Sequence, residues 1–224
     1  MHYTYLLLLL LTISYPLLRS FEEKIRFASK WRSLFPAIGI VAIVFIIWDI
    51  WFTSIGVWSF NQNYVIGFFI SKLPIEEWLF FFIVPFSCVF IYEVMNYFVK
   101  KDVLGPYAKY ITLTLAGCLL IIAGLYIDRL YTAITFISLS AVLVLHQYVL
   151  RSKFIGRFYL TWCVCMIPFL IVDGIITKMP ILIYYNPFML NVRIYTIPIE
   201  DLFYGMLQIL LVISVYEYFK QKRA

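Results

Sequence analysis

Four acidic positions in this 224-residue chain recur at one spacing, and they set the chemistry to look for. Sliding the sequence along itself by 124 residues brings Asp49 onto Asp173, Glu76 onto Glu200, Glu77 onto Asp201 and Glu93 onto Glu217, without a gap. Pro74 and Ile75 fall on Pro198 and Ile199, and Tyr92 on Tyr216. Every acidic residue between positions 49 and 100 thus meets an acidic residue in the second copy. Adjacent carboxyls in apolar surroundings suit general acid–base work, because one can hold a proton while the other takes one back. A plainer reading exists for each motif alone: acids in a first helical turn favour the helix dipole, and proline starts helices well. Glu93 and Glu217 lie 17 residues beyond Glu76 and Glu200, too far to share one small site with them, and are expected to pair with lysines or arginines.

The elements that position these acids are apolar. Only 13% of residues are charged and 64% are apolar, against roughly 25% and 45–50% in a soluble domain. A bilayer core asks for helices of about 20 apolar residues. Lipid cannot hydrogen-bond a backbone, which leaves helices or a closed barrel. Runs such as Ile38–Ile47 and Thr112–Tyr126 lack strand alternation, so the expectation is an all-α polytopic membrane bundle. The apolar runs predict about seven transmembrane helices, over 2–19, 35–52, 75–98, 109–127, 130–150, 158–176 and 197–219. The first run has neither a basic leader nor a small-residue cleavage site and reads as a retained helix. The stretch Phe21–Leu34 is amphipathic and is expected to lie along the membrane surface.

The recurrence divides the chain into a first three-helix repeat (1–98), a linker helix (99–129) and a second three-helix repeat (130–224). Three helices plus a linker return the chain to its starting side, so the repeats should be parallel, about a pseudo-twofold axis along the membrane normal. Both Pro-x-acid-acid motifs then share one membrane face with Asp49 and Asp173. Fourteen basic residues, Arg19, Lys24, Arg26, Lys30, Arg32, Lys100, Lys101, Lys109, Arg151, Lys153, Arg157, Lys220, Lys222 and Arg223, fall on one side. Lys72, Arg129, Lys178 and Arg193 fall on the other. Basic loops face the cytoplasm, which predicts a multi-pass protein with its N-terminus outside and its C-terminus cytoplasmic.

Several function classes are excluded. The net charge of +6 belongs to loops, with no basic-aromatic face for nucleic acid. Cys88, Cys118, Cys163 and Cys165 lie within spans and read as small packing residues, and His2 and His146 lack ligand-spaced partners, so no metal is expected. None of the nine glycines forms a Gly-x-Gly, which removes the usual nucleotide and flavin fingerprints, and no cofactor is expected. There is no Asp-x-x-x-Asp for a magnesium–diphosphate site, and the last span has no lysine before Lys220 for a Schiff base. Aromatic residues make up 20% of the chain, with Trp48, Trp51, Trp58 and Trp78 around the first acidic cluster. An interfacial belt accounts for many. Glu76 with Phe80, and Glu200 with Tyr204, are nevertheless i, i+4 pairs, and an aromatic face beside a proton donor suits a carbocation.

Two three-helix units, each with an Asp ending one helix and a Pro-x-acid-acid opening the next, resemble the membrane-integral lycopene cyclases, in the form with two subunits fused. The resemblance spans nearly the whole chain. It is most specific at Trp48-Asp49-x-Trp51, Pro74-Ile75-Glu76-Glu77 and Pro198-Ile199-Glu200-Asp201. The second copy departs in having Val172 for Trp48 and Asp201 for Glu77. The resemblance implies a redox-neutral, acid-catalysed isomerisation that closes the ends of lycopene into β-ionone rings, through γ-carotene to β-carotene. It implies Glu76, Glu77, Glu200, Asp201, Asp49 and Asp173 as catalytic carboxyls. Trp48, Trp51, Phe80 and Tyr204 would line the substrate. The partners implied are bilayer-dissolved carotenoids and membrane lipid, with association with other carotenoid enzymes in prospect. The alternative from the residues alone is a proton-coupled transporter or channel. That reading expects broken helices and acids spread through the membrane depth.

Overall fold

The computed structural model describes residues 2–222, so Arg223 lies outside the described residues. Seven α-helices carry the chain: α1 (Thr4–Arg19), α2 (Trp31–Ile55), α3 (Ile75–Phe98), α4 (Ala108–Leu125), α5 (Leu130–Val144), α6 (Ile155–Lys178) and α7 (Ile199–Gln221). A π-helical turn, Leu145–Val149, extends α5. Six of these helices are long and apolar enough to cross a membrane, and outward residues such as Leu11, Ile43, Ile121 and Ile167 are more than 60% exposed. The chain is a multi-pass membrane protein. The first helix is shorter. Its 16 residues reach about 24 Å, against a hydrocarbon core of roughly 30 Å.

The stretch Phe21–Leu34 links α1 to α2. It does not form a surface-lying helix: it turns, makes a 3-10 turn over Phe27–Lys30 and runs directly into α2. Phe27 and Leu34 are fully buried, with the Phe27 ring against Phe86 and Phe90. Much of its apolar face is spent on the bundle, though Phe21 stays 67% exposed.

In the bundle α1 packs along α3, α5 along α7, α2 against both α3 and α7, and α6 against α3, while α4 lies on α5. Positions 124 apart play matching parts at the acidic end. The first connection holds β1 (Trp58–Phe60), β2 (Phe69–Ile70) and β3 (Leu73–Pro74), and the second holds β4 (Leu182–Tyr184), β5 (Arg193–Ile194) and β6 (Ile197–Pro198). No strand was expected from the sequence. β2 pairs with β3 and β5 with β6 as hairpins with two-residue turns. Ser71 and Lys72 both take positive φ, the twist-matched geometry of a tight hairpin. Pro74 and Pro198 are the extended residues that close these hairpins, and a helix starts at the next residue each time. The first turn of α3 or α7 is thereby aimed back into the bundle with its two acids. β1 pairs antiparallel with β4, Ser59 opposite Ile183 at the centre, so the two connections join hands over the end of the bundle.

At the opposite end Glu93 is 98% buried and ties three segments together. It accepts hydrogen bonds from Tyr216 Oη at 2.8 Å and Lys220 Nζ at 2.7 Å, and it pairs with Lys30 before α2. Glu217 meets Lys220 at 3.4 Å. These acids pair with cations, as their distance from the other carboxyls suggested.

Candidate active site

Asp49 lies near the end of α2 and Asp173 near the end of α6. The hairpins return the chain so that the first turns of α3 and α7 stand beside them. The result is a narrow chamber of about 60 Å³ bordered by Asp49, Glu77, Asp173 and Asp201. All four carboxyls are at least 90% buried. Phe80, Phe81, Phe169 and Tyr204 supply much of its apolar wall, and Trp58, Leu182 and Tyr184 of the paired strands β1 and β4 close it on the loop side.

Each carboxyl is held by named donors. Trp58 Nε1 donates to Asp49 Oδ1 at 2.6 Å. The Tyr5 hydroxyl of α1 donates to Glu77 Oε2 at 2.7 Å. The Tyr131 hydroxyl of α5 donates to Asp201 Oδ1 at 2.6 Å, and the Tyr184 hydroxyl of β4 to Oδ2 at 2.5 Å. Tyr184 lies in a connection outside the helices. Burial first, then the carboxyls around it, push its phenol well above the usual range, which keeps it a donor. Asp173 and Asp201 both border the chamber. Among the described residues, the second oxygens of Asp49 and Asp173 have no hydrogen-bond partner, and neither do the Tyr204 hydroxyl and the Gln208 amide NH₂. Buried polar atoms are normally satisfied, and these four border the one chamber.

The acids of each motif divide. Glu77 and Asp201 face the chamber, whereas Glu76 and Glu200, fully buried, turn toward the connections. Glu76 Oε1 accepts the Ile66 backbone N–H at 2.7 Å, and Glu200 Oε1 accepts the Leu190 N–H at 2.7 Å and the Thr132 hydroxyl at 2.6 Å. They pin the loops that close the chamber. The aromatic partners also differ from the expected helix face: Phe80 and Tyr204 line the chamber, but beside Glu77 and Asp201 rather than Glu76 and Glu200. Trp51 is 45% exposed on the outside of α2. Trp48 packs between α2 and α7 against Tyr204.

Sequence reasoning missed Tyr5, Tyr131 and Tyr184, and placed Trp58 near the first acidic cluster without giving it a role. Tyr5 and Tyr131 make equivalent contacts yet are 126 residues apart, so a gapless slide of 124 passes over them. The family model for lycopene cyclase matches residues 2–95 and 128–219, one stretch on each side of α4. No curated protein and no solved structure matches the chain.

Proposed function

Since this chain belongs to the lycopene cyclase family, we propose that it closes both ends of lycopene into β-ionone rings, through γ-carotene to β-carotene, as an intramolecular isomerase. The observation that carries the reading is the convergence of Asp49, Glu77, Asp173 and Asp201 on one buried, aromatic-walled chamber.

The chemistry starts with a carboxylic acid adding its proton to the terminal double bond. The tertiary cation so formed is attacked by the π electrons of the next double bond along the chain, and a six-membered ring closes. A carboxylate then takes a ring proton and the double bond reforms. One proton enters and one leaves, so the reaction is an isomerisation and needs no oxidant or reductant. The free oxygens of Asp49 and Asp173 are those open to substrate, one delivering the proton and the other receiving it. Glu77 and Asp201 sit beside them and return the proton between turnovers. Tyr5, Tyr131 and Tyr184 hold these two carboxyls in place. The ring faces of Phe80 and Tyr204 stabilise the cation. The β1–β4 pair keeps out water, which would otherwise capture it.

The same reading takes 1–98 and 130–224 as parallel repeats and 99–129 as their linker. It places the acidic end outside, the C-terminus in the cytoplasm, and the substrate in the bilayer. Expression in a lycopene-accumulating host tests the activity. Pigment chromatography should show one-ringed and then two-ringed product. Unchanged lycopene with confirmed membrane expression would refute the reading.

A further inference from the structure

Positions related by 124 residues build two seams between the halves of the bundle, α2 with α7 and α6 with α3, and the two seams are not alike. Between α2 and α7 the Trp48 ring lies 5.4 Å from Tyr204 and 5.8 Å from both Phe45 and Phe52, and Phe45 meets Tyr204 at 5.0 Å. These interlocked rings fill the seam. The equivalents of Phe45, Trp48, Phe52 and Tyr204 in the other seam are Phe169, Val172, Ile176 and Phe80. Where the tryptophan stood there is a valine, and a groove of about 370 Å³ runs between α1, α3 and α6.

Three features describe what the groove would hold. It adjoins the acidic chamber: Phe80, Val84, Cys88, Phe169 and Asp173 line both. It opens on the flank of the bundle between helices, where Leu11, Tyr15 and Pro168 are exposed. It is long: on α3 it runs from Phe80 to Ile91, about 16 Å of helix. The filled seam also keeps polar groups, Tyr204 and Gln208, where the open one has Phe80 and Val84. The open seam is the more apolar of the two at these positions and suits a hydrocarbon better.

We infer that the chamber has a single lipid-facing mouth, the α1–α3–α6 groove, which holds the extended polyene chain of the substrate while its end lies among the acids, and that Trp48 stoppers the equivalent passage between α2 and α7. The inference rests on the cyclase reading for the identity of the occupant. It follows that the two ends of one substrate are processed in turn through the same mouth. The one-ringed product must withdraw and present its other end. Val172 sets the width of the mouth.

The test maps contacts first. A linear polyene hydrocarbon with a diazirine in its chain is incorporated into nanodiscs with the full-length protein and irradiated, and adducts are located by mass spectrometry. They should fall on Leu11, Tyr15, Phe80, Val84 or Phe169. Val172→Trp should remove them and lower lycopene turnover by about tenfold or more through lost substrate binding. Ile167→Trp, on the outward face of the same helix and 66% exposed, should change neither. Adducts on the α2–α7 flank, or a Val172→Trp variant that turns over normally, would overturn the inference. If the wild type binds the probe in the groove but makes no ring, the cyclase reading fails while the mouth stands. The wild-type adduct map decides the question even where Val172→Trp does not fold.

Discussion

The sharpest consequence of the site geometry concerns two neighbouring glutamates on one helix. Glu76 and Glu77 are adjacent and both buried, but only Glu77 borders the chamber. The same substitution to glutamine should therefore have different effects. At position 77 the amide oxygen still accepts the Tyr5 hydroxyl that now lies 2.7 Å from the carboxyl, so the local structure survives. The side chain can no longer pass a proton. General acid–base participation contributes about 10²–10⁴-fold, or about 3–5 kcal/mol of barrier, and turnover should fall by that factor with folded yield unchanged. At position 76 the amide oxygen keeps the Ile66 N–H at 2.7 Å. Its new NH₂ replaces a buried oxygen that already has no partner, so no hydrogen bond is lost. Here turnover per folded molecule should stay within about threefold of wild type, a rate change worth under 1 kcal/mol. The assay is lycopene conversion by purified protein in nanodiscs, normalised to folded protein by size-exclusion recovery. If Glu76→Gln abolishes turnover and Glu77→Gln does not, the assignment of chamber and loop roles is wrong.

Three other expectations follow from separate parts of the structure. Tyr131→Phe removes one of the two phenol donors to Asp201. A hydrogen bond to a charged group is worth about 1.5–3 kcal/mol, so turnover should drop by about tenfold or more, and wild-type rates in that variant would show that Asp201 is not a working carboxyl. Glu93→Gln leaves Lys30 and Lys220 without their buried counter-charge. Both lysines reach solvent, so the loss should be about 3 kcal/mol or less. It should be read as a lower melting temperature with turnover per folded molecule retained; a selective loss of turnover would contradict the pairing role. Cysteines introduced beside Lys72 and Lys178 should react with an impermeant maleimide from outside intact cells, and labelling from the cytoplasmic side alone would invert the proposed orientation.

The helices were legible because membrane spans are long, apolar and free of competing signals. All seven expected runs correspond to a helix, with ends shifted by a few residues. The acids were legible because the bilayer makes every buried carboxyl conspicuous, and their spacing repeats. What was hidden depends on turns and on rotation about a helix axis. The hairpins at Ser71–Lys72 and Tyr195–Thr196 lack Asn-Gly or Asp-Gly, so nothing announced them. Without knowing how those hairpins aim α3 and α7, no pattern says that Glu77 rather than Glu76 faces the chamber. Trp51 shows the same limit: its identity suits a cation site, but its position on α2 points it outward. The tyrosines that hold the carboxyls were lost in a two-residue shift between the halves.

The proton ledger of the reaction gives the most direct test of the central claim. Lycopene is supplied in nanodiscs to the wild-type protein equilibrated in D₂O, and the product is weighed by mass spectrometry. If a chamber carboxyl protonates the terminal double bond and another removes a ring proton, each ring gains one deuterium from solvent and loses one hydrogen. The product should then be heavier than lycopene by one mass unit per ring, and equal to it in mass when formed in H₂O. Rings formed without deuterium, or a product whose mass in H₂O differs from lycopene, would contradict acid-catalysed, redox-neutral cyclisation by these residues.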